Sequence, residues 1–344
     1  MEFHELAMQT LFAEAVDEAN TQEVIPLDSP GSPHRKTIKG LEYLYWRYYR
    51  AGKRFEESLG RADTPEAEEK LERKRELQRE RMSLAKKAQL LRAAHYAAAD
   101  NDAAVTIASI FNAGIFRNGG VLVGSHAFGA LLNSLGLRPA RNYQTTDIDI
   151  GTSPRIALGI DERRSLLEVL RESGLRFLEV PELDHRKQST SFKVAGQPLK
   201  VDLLVPGTMS YESRPVPGLQ AHATALPFFG YLMDEAIAGA VIGKDHIIPV
   251  RIPRPARFAL HKLIVSTLRV ETSAQKADKD CHQAVTLLEA LLDRAPNDIE
   301  EARAALDEAA RHRVANGAAR AVRVVRPANV SEQLRDYLDE LQQP

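Results

Sequence analysis

Three carboxylates sit in two short apolar runs: Asp147 and Asp149 in TTDIDIG, and Asp202 in LKVDLLVPG. Upstream lies a Gly-Ser pair, Gly124-Ser125, within GGVLVGSHAFGALLNSLG. Both aspartate runs have strand character, and in a strand successive side chains point to opposite faces. Asp147 and Asp149 therefore share one face, while Ile148 and Ile150 point into a core. Their Cα atoms would lie about 6.5 Å apart, so both carboxylates can reach divalent ions spaced about 3.5–4 Å. Asp202 breaks the apolar run VDLLV, where a charge is costly unless it meets a cation. The pattern is that of a metal site built for phosphoryl chemistry. The plainer alternative for Asp147 and Asp149 is a pair of polar residues at a strand edge.

The Gly-Ser turn suits the same chemistry. Gly124 has no Cβ, so the backbone there can approach a triphosphate closely. Ser125 then stands at a helix start, where free N–H groups and the helix dipole favour phosphate, though a serine there also serves simply as a cap. No Gly-Lys-Ser/Thr follows, so this is not a Walker loop, and the Gly-x-Ser-x-Gly of a nucleophile elbow is absent. Other candidates are weaker. His126 reads as packing at a helix start, and Cys281-His282 is too isolated for a metal site or a dyad. Asp184-His185 belongs to a polar loop with Arg186 and Lys187, two cations within reach of a triphosphate or an RNA backbone.

The elements that must position these groups alternate through the middle of the chain. The pattern predicts a helix over 101–115, a strand over 120–123, and a helix over 126–135 directly after the turn. A strand over 146–150 and a helix from Asp161 to about 173 follow. Strands near 176–180, 190–195 and 199–205 complete a mixed sheet. Extended pieces at 236–242 and 246–252 flank Gly243-Lys244-Asp245, a hairpin turn. Beyond Pro253 and Pro255 the chain reads as helices at 256–270, 274–293, 298–312 and 330–341. Upstream, 4–19 has helical spacing, IPLDSPGSPHRK reads as a linker or loop, and GLEYLYWRYYRAGKRFEESLG reads as a β-hairpin. Residues 65–95 form a highly charged helix entered at Thr64-Pro65. Three regions result: 1–98, basic, with helices and the hairpin; 99–252, the α/β core; and 253–344, helical.

Composition narrows the classes. The 344 residues carry a net charge of −1, with 44% hydrophobic and 27% charged residues, so the whole molecule is not an electrostatic nucleic-acid binder. Between residues 35 and 92, however, 17 Lys/Arg face 10 Asp/Glu. That surplus is either a solvated helix face or a contact surface for RNA, given Tyr43, Tyr45, Trp46, Tyr48 and Tyr49 beside Arg47 and Arg50. One cysteine, Cys281, excludes an internal disulfide framework and a zinc–cysteine cluster. No apolar run approaches the ~20 residues of a membrane span. The first residues are acidic and amphipathic, unlike a secretory signal, so a cytoplasmic location is expected.

The order strand, Gly-Ser, helix, then Asp-x-Asp about 22 residues on, then a third Asp in a later strand, resembles the nucleotidyltransferase superfamily that shares the polymerase-β-like palm. FRNGGVLVGSHAFGALLNSLG followed by TTDIDI, with the upstream hairpin ending in Ser-Leu-Gly, is similar to a poorly characterised prokaryotic family of that superfamily. In the C-terminal part, ARFALHKLIVSTLR and SAQKADKDCHQAVTLL resemble two helices of AbiEii-type nucleotidyltransferase toxins, with Gln283 where those proteins commonly carry an acid. The resemblance implies an α/β palm-like mixed sheet and a magnesium-dependent (or Mn²⁺-dependent) transferase. Asp147 and Asp149 would hold Mg²⁺ on an NTP such as ATP. Asp202 would share a second ion and orient or deprotonate an acceptor hydroxyl. Gly124 and Ser125 would hold phosphate, and Lys262, Lys279 and Asp280 would line the nucleotide cleft, with Lys276 one turn away. The acceptor is left open among RNA (tRNA especially), a protein and a small molecule. Two alternatives also stand: a toxin or phage-defence effector with a cognate antitoxin, and a catalytically silent nucleotide-binding or protein-interaction module.

Overall fold

The computed structural model describes residues 2–50, 53–139, 145–156, 164–181, 188–208, 211–269, 273–325 and 330–343. Helix α1 (Leu6–Asn20) precedes three strands, β1 (Ser32–Ile38), β2 (Leu41–Arg50) and β3 (Lys53–Arg61). β2 and β3 form the expected hairpin. β1 corrects the expected loop: the last five residues of that Pro/Ser/Gly stretch, with Thr37 and Ile38, pair antiparallel with β2, from Ser32 opposite Arg47 to Ile38 opposite Leu41. Pro33 is tolerated because β1 is an edge strand with one row of N–H groups unneeded. The inner face of this sheet buries Leu44, Trp46 and Leu59 against Ala67 and Leu71 in the first turns of α2 (Pro65–Ala93). Pro65 opens that helix, with Glu66 and Glu68 in its first turn, where the dipole favours anions.

The middle of the chain begins with α3 (Asn101–Asn112), capped by Asp100, whose carboxylate accepts the Ala103 N–H. Then come β4 (Val121–Val123), α4 (Gly124–Ser134), β5 (Asp147–Gly151), α5 (Leu166–Arg171), β6 (Phe177–Glu179), β7 (Ser191–Val194) and β8 (Lys200–Pro206). The expected helix start at Asp161 lies outside the described residues; α5 opens with a capping box between Ser165 and Glu168. No sequence expectation covered β9 (Ser213–Val216), a 3-10 turn (Pro217–Leu219), β10 (Ala221–Leu226) or the short α6 (Phe229–Met233). The sheet runs β4-β5-β8-β10-β9. β5, β8 and β10 run parallel to one another, with β4 antiparallel at one edge and β9 antiparallel at the other. β7 pairs antiparallel with the first half of β8 and carries β6. This is the mixed α/β sheet that was expected. β11 (Ile237–Ile242) and β12 (Ile247–Ile252) make a separate hairpin around Gly243-Lys244-Asp245.

The remainder is helical: α7 (Pro255–Leu268), α8 (Ala274–Arg294), α9 (Pro296–Ala304), α10 (Glu308–Val324) and α11 (Glu332–Leu341). The single helix expected over 298–312 is two. The chain leaves α9 at Ala305, and the Asp307 carboxylate accepts the Ala310 N–H to start α10. Gly317 lets α10 lie directly on α7, since a Cβ there would collide with the Leu263 carbonyl. One continuous core joins the sheet to these helices, from Ile148, Ile150 and Leu203 to Leu260, Leu263 and Leu287. A second cluster seats α1 and the end of α2 on β11–β12 through Phe12, Leu91, Ile242 and Ile247. Among the described residues no helix is long and apolar enough to cross a membrane.

Candidate active site

Strand register assembles the site. β5 and β8 are parallel with Asp149 opposite Asp202 and Asp147 opposite Lys200. On the other side of β5, Asp149 faces Val123, the residue before Gly124. Alternation then sorts the faces as expected: Ile148, Ile150, Val201 and Leu203 are fully buried, Asp147 is exposed, and Asp149 and Asp202 are partly buried. Two carboxylates 53 residues apart in sequence are thus neighbours across two strands, beside the Gly-Ser turn.

Gly124 has φ +66°, a left-handed conformation that side chains with a Cβ adopt at a cost. The space a Cβ would occupy is filled by the Asp149 carboxylate. The glycine therefore admits a carboxylate as well as giving the backbone its turn. Ser125 begins α4 half-buried, and its hydroxyl accepts a hydrogen bond from the Lys279 ammonium of α8 at 2.8 Å. That bond brings the C-terminal helices to the turn.

Asp202 does meet a cation, supplied by its own strand. Its Oδ2 pairs with the Lys200 Nζ at 2.9 Å, and its Oδ1 accepts from the Ser191 hydroxyl of β7, the residue in register with it. Burial would lower the Lys200 ammonium, but its hydrogen bond to Asp202 and the charges of Asp202, Asp147 and Asp149 outweigh that and raise it. Among the described residues, Asp149 has no such private partner. Burial first, then the Asp202 charge, pushes its carboxyl up to about 6, with Asp147 adding to the rise and Lys262 and Lys200 opposing it. Clustered carboxylates that repel one another in this way are suited to share a cation.

Lys262 of α7 and Arg269, just past its end, both grip Asp280 of α8, at 2.7 Å to Oδ1 and 2.7 Å to Oδ2. The Asp280 side chain is 3% exposed, so it is a buried brace for these cations rather than a wall of the cleft. Burial alone would raise its carboxyl; Lys262 and Arg269 outweigh that and hold it below the ordinary value. Lys279 is lowered by desolvation and then by Lys262. Lys276 is exposed on the first turn of α8 and makes no ion pair among the described residues, so the cluster is built on Lys262 and Lys279. His126 is buried as helix-start packing with Nε2 unpartnered among the described residues, and burial holds its pKa near 4. Cys281 is buried, and Asp184, His185, Arg186 and Lys187 lie outside the described residues.

Lys200, Ser191 and Arg269 are the groups that sequence reasoning missed. Lys200 was detectable in principle, because two residues before Asp202 in a strand means the same face. Ser191 and Arg269 reach the site only through tertiary pairing. As to metal, the donors are carboxylate oxygens, which suit a hard divalent ion. Among the described residues, however, no three carboxylate, imidazole or thiolate groups converge tightly enough to form a finished cage. Asp147 stands exposed at the strand start, and Asp202 is engaged by Lys200 and Ser191.

A family model described as nucleotidyltransferase matches residues 101–307. No curated protein and no solved structure matches the chain. The matched span takes in the turn, the three carboxylates and the lysines of α7 and α8, and it covers well over half of the sequence, so the chain belongs to this nucleotidyltransferase family.

Proposed function

We propose that the protein is a metal-dependent nucleotidyltransferase that moves a nucleoside monophosphate from an NTP to a hydroxyl acceptor. The observation that carries this reading is the Asp149–Asp202 pair in register beside Gly124-Ser125, with the Lys279 ammonium bonded to Ser125. The acceptor hydroxyl oxygen attacks the α-phosphorus, the α–β phosphoanhydride bond breaks, and pyrophosphate leaves. Asp202 orients the hydroxyl and takes its proton, with Ser191 and Lys200 fixing the carboxylate in place. Ser125, Lys279 and Lys262 hold the phosphates, and the two ammonium groups offset negative charge on the leaving pyrophosphate. Asp147, Asp149 and Asp202 are the residues that would hold Mg²⁺ or Mn²⁺, which when bound neutralises triphosphate charge. Lys276, exposed on the same helix, is proposed only for the rim of the nucleotide site.

The test is incubation with each radiolabelled NTP, Mg²⁺ or Mn²⁺, and cell extract. Label is expected in a macromolecular or small-molecule product with wild type. Asp149→Asn is expected to lose at least a hundredfold in rate while unfolding at the same or a slightly higher temperature in chelator, because it removes one of two repelling charges at constant volume. Lys279→Ala should chiefly weaken NTP binding. Turnover by Asp149→Asn within tenfold of wild type would sink the reading. Label in tRNA or protein together with growth arrest on expression would extend it to a toxin.

A further inference from the structure

Among the described residues, α2 covers one face of the N-terminal sheet, and the opposite face is aromatic and cationic. Alternation along β2 divides its residues: Leu44 and Trp46 are buried toward α2, which leaves Tyr43, Tyr45 and Tyr49 on the opposite face. All three tyrosines keep solvent contact, with Tyr49 49% exposed. The aromatic content of the hairpin is therefore not all packing. Cross-strand register sets cations around these rings. Lys36 of β1 is opposite Tyr43 and holds its ammonium 4.7 Å from the Tyr45 ring centroid; Arg54 of β3 is opposite Tyr49. Lys36, Arg47 and Arg54 all turn to one carboxylate, Glu56, leaving this cluster with a surplus of positive charge.

We propose that this face binds a single-stranded segment of RNA, the acceptor of the transferase reaction proposed above. Solvent-reaching rings on one sheet face, here interleaved with Arg47, are stacking platforms for unpaired bases, and every base has a face to stack. The flexible Lys36 ammonium moves from the Tyr45 ring to a phosphate as a base settles there. Arg47 and Arg54 are placed for neighbouring phosphates, and Glu56 keeps the three cations gathered while the face is empty. An acidic protein partner would use the cations but gain nothing from three rings on one face. Duplex RNA hides its bases, so it would lose the stacking contribution and keep only the phosphate contacts.

The experiment titrates full-length protein into two fluorescent probes, a 12-nucleotide single-stranded RNA of mixed sequence and a 12-base-pair RNA duplex, at 50 and 200 mM KCl. Single strands are expected to bind more tightly than duplex. Two or three phosphate contacts should weaken that binding about tenfold across this salt range. The double variant Tyr45→Ala/Tyr49→Ala should weaken single-strand binding at least tenfold and leave duplex binding unchanged. Tyr45→Phe keeps the ring and should bind like wild type, which controls for a folding defect in the alanine variant. Absence of single-strand binding by wild type at 50 mM KCl, equal affinity for duplex, or indifference to the double variant would each overturn the proposal. NTP binding is measured on the same preparations. RNA binding without NTP binding would sink the transferase reading and spare the surface; NTP binding without RNA binding would do the reverse.

Discussion

Gly124 and Asp149 are fitted to one another at the level of single atoms, and that fit makes a sharper statement than either motif does alone. Gly-Ser and Asp-x-Asp recur constantly in unrelated sequences, but here the absent Cβ of one residue is the seat of the other's carboxylate. Gly124→Ala should consequently fail twice. Alanine at φ +66° costs roughly 1–2 kcal/mol in backbone strain, and its methyl group must displace the Asp149 side chain. The expected outcome is a Tm several degrees lower and nucleotide transfer reduced as severely as in Asp149→Asn; transfer within threefold of wild type would show that Asp149 does not need this seat. The candidate carboxylates themselves were legible from sequence because strand alternation is local. What was not legible is the company they keep: Lys200 pairs along the strand, but Ser191 arrives across it and Arg269 through a buried aspartate on another helix. Asp280, expected at the cleft, turned out to be the anchor behind it, since nothing in its neighbours' spacing tells a brace from a wall.

Among the elements, α7 explains how the cations are held still. It is surrounded by α8, α9 and α10, and buries Phe258, Leu260, His261 and Leu263 around its circumference. His261 lies edge-on to Phe229, and burial first, then Lys262, lowers its pKa to about 3. A histidine that is neutral when folded but free to protonate at about 6.5 when unfolded contributes stability above pH 6.5. That stability is lost as pH falls below 6.5, because only the unfolded chain takes the proton. At pH 5 the loss from this residue is about 2 kcal/mol. Urea unfolding at pH 7, 6 and 5 should show His261→Gln losing about 2 kcal/mol less than wild type between pH 7 and pH 5, whatever its absolute stability; identical losses would mean His261 is protonated in the fold. Element prediction succeeded where a local signal was strong, as in the Thr64-Pro65 entry of α2, the helical pattern of α8 and the Gly243-Lys244-Asp245 turn between β11 and β12. It missed β1, whose Pro33 and the Pro30-Gly31 just before it look like a loop until β2 is there to pair with it, and it ran α9 into α10 because a capping aspartate inside a helical pattern reads as one more polar residue.

At the scale of the whole molecule, the N-terminal region is attached in two different ways. Its sheet has a small core of its own with the start of α2, whereas α1 and the end of α2 cover β11 and β12 through Phe12, Leu84 and Leu91. A chain beginning at residue 99 would expose Ile242 and Ile247 to water and should elute as an aggregate in size-exclusion chromatography. A soluble monomer with an unchanged Tm would show that these contacts are dispensable. For the same reason truncation is a poor probe of RNA binding, and point substitutions on the outer sheet face are the cleaner one. The hydrogen bond from Lys279 to Ser125 has a further consequence, in the order of synthesis. Its two residues are 154 positions apart, so at about 5–20 residues per second the ribosome makes the turn roughly 8–30 s before the lysine that serves it. During that interval the nascent sheet holds its repelling carboxylates with no cation from α7 or α8. Under the proposed function, the emerging protein would lack the two ammonium groups assigned to the phosphates until its helical part has folded down.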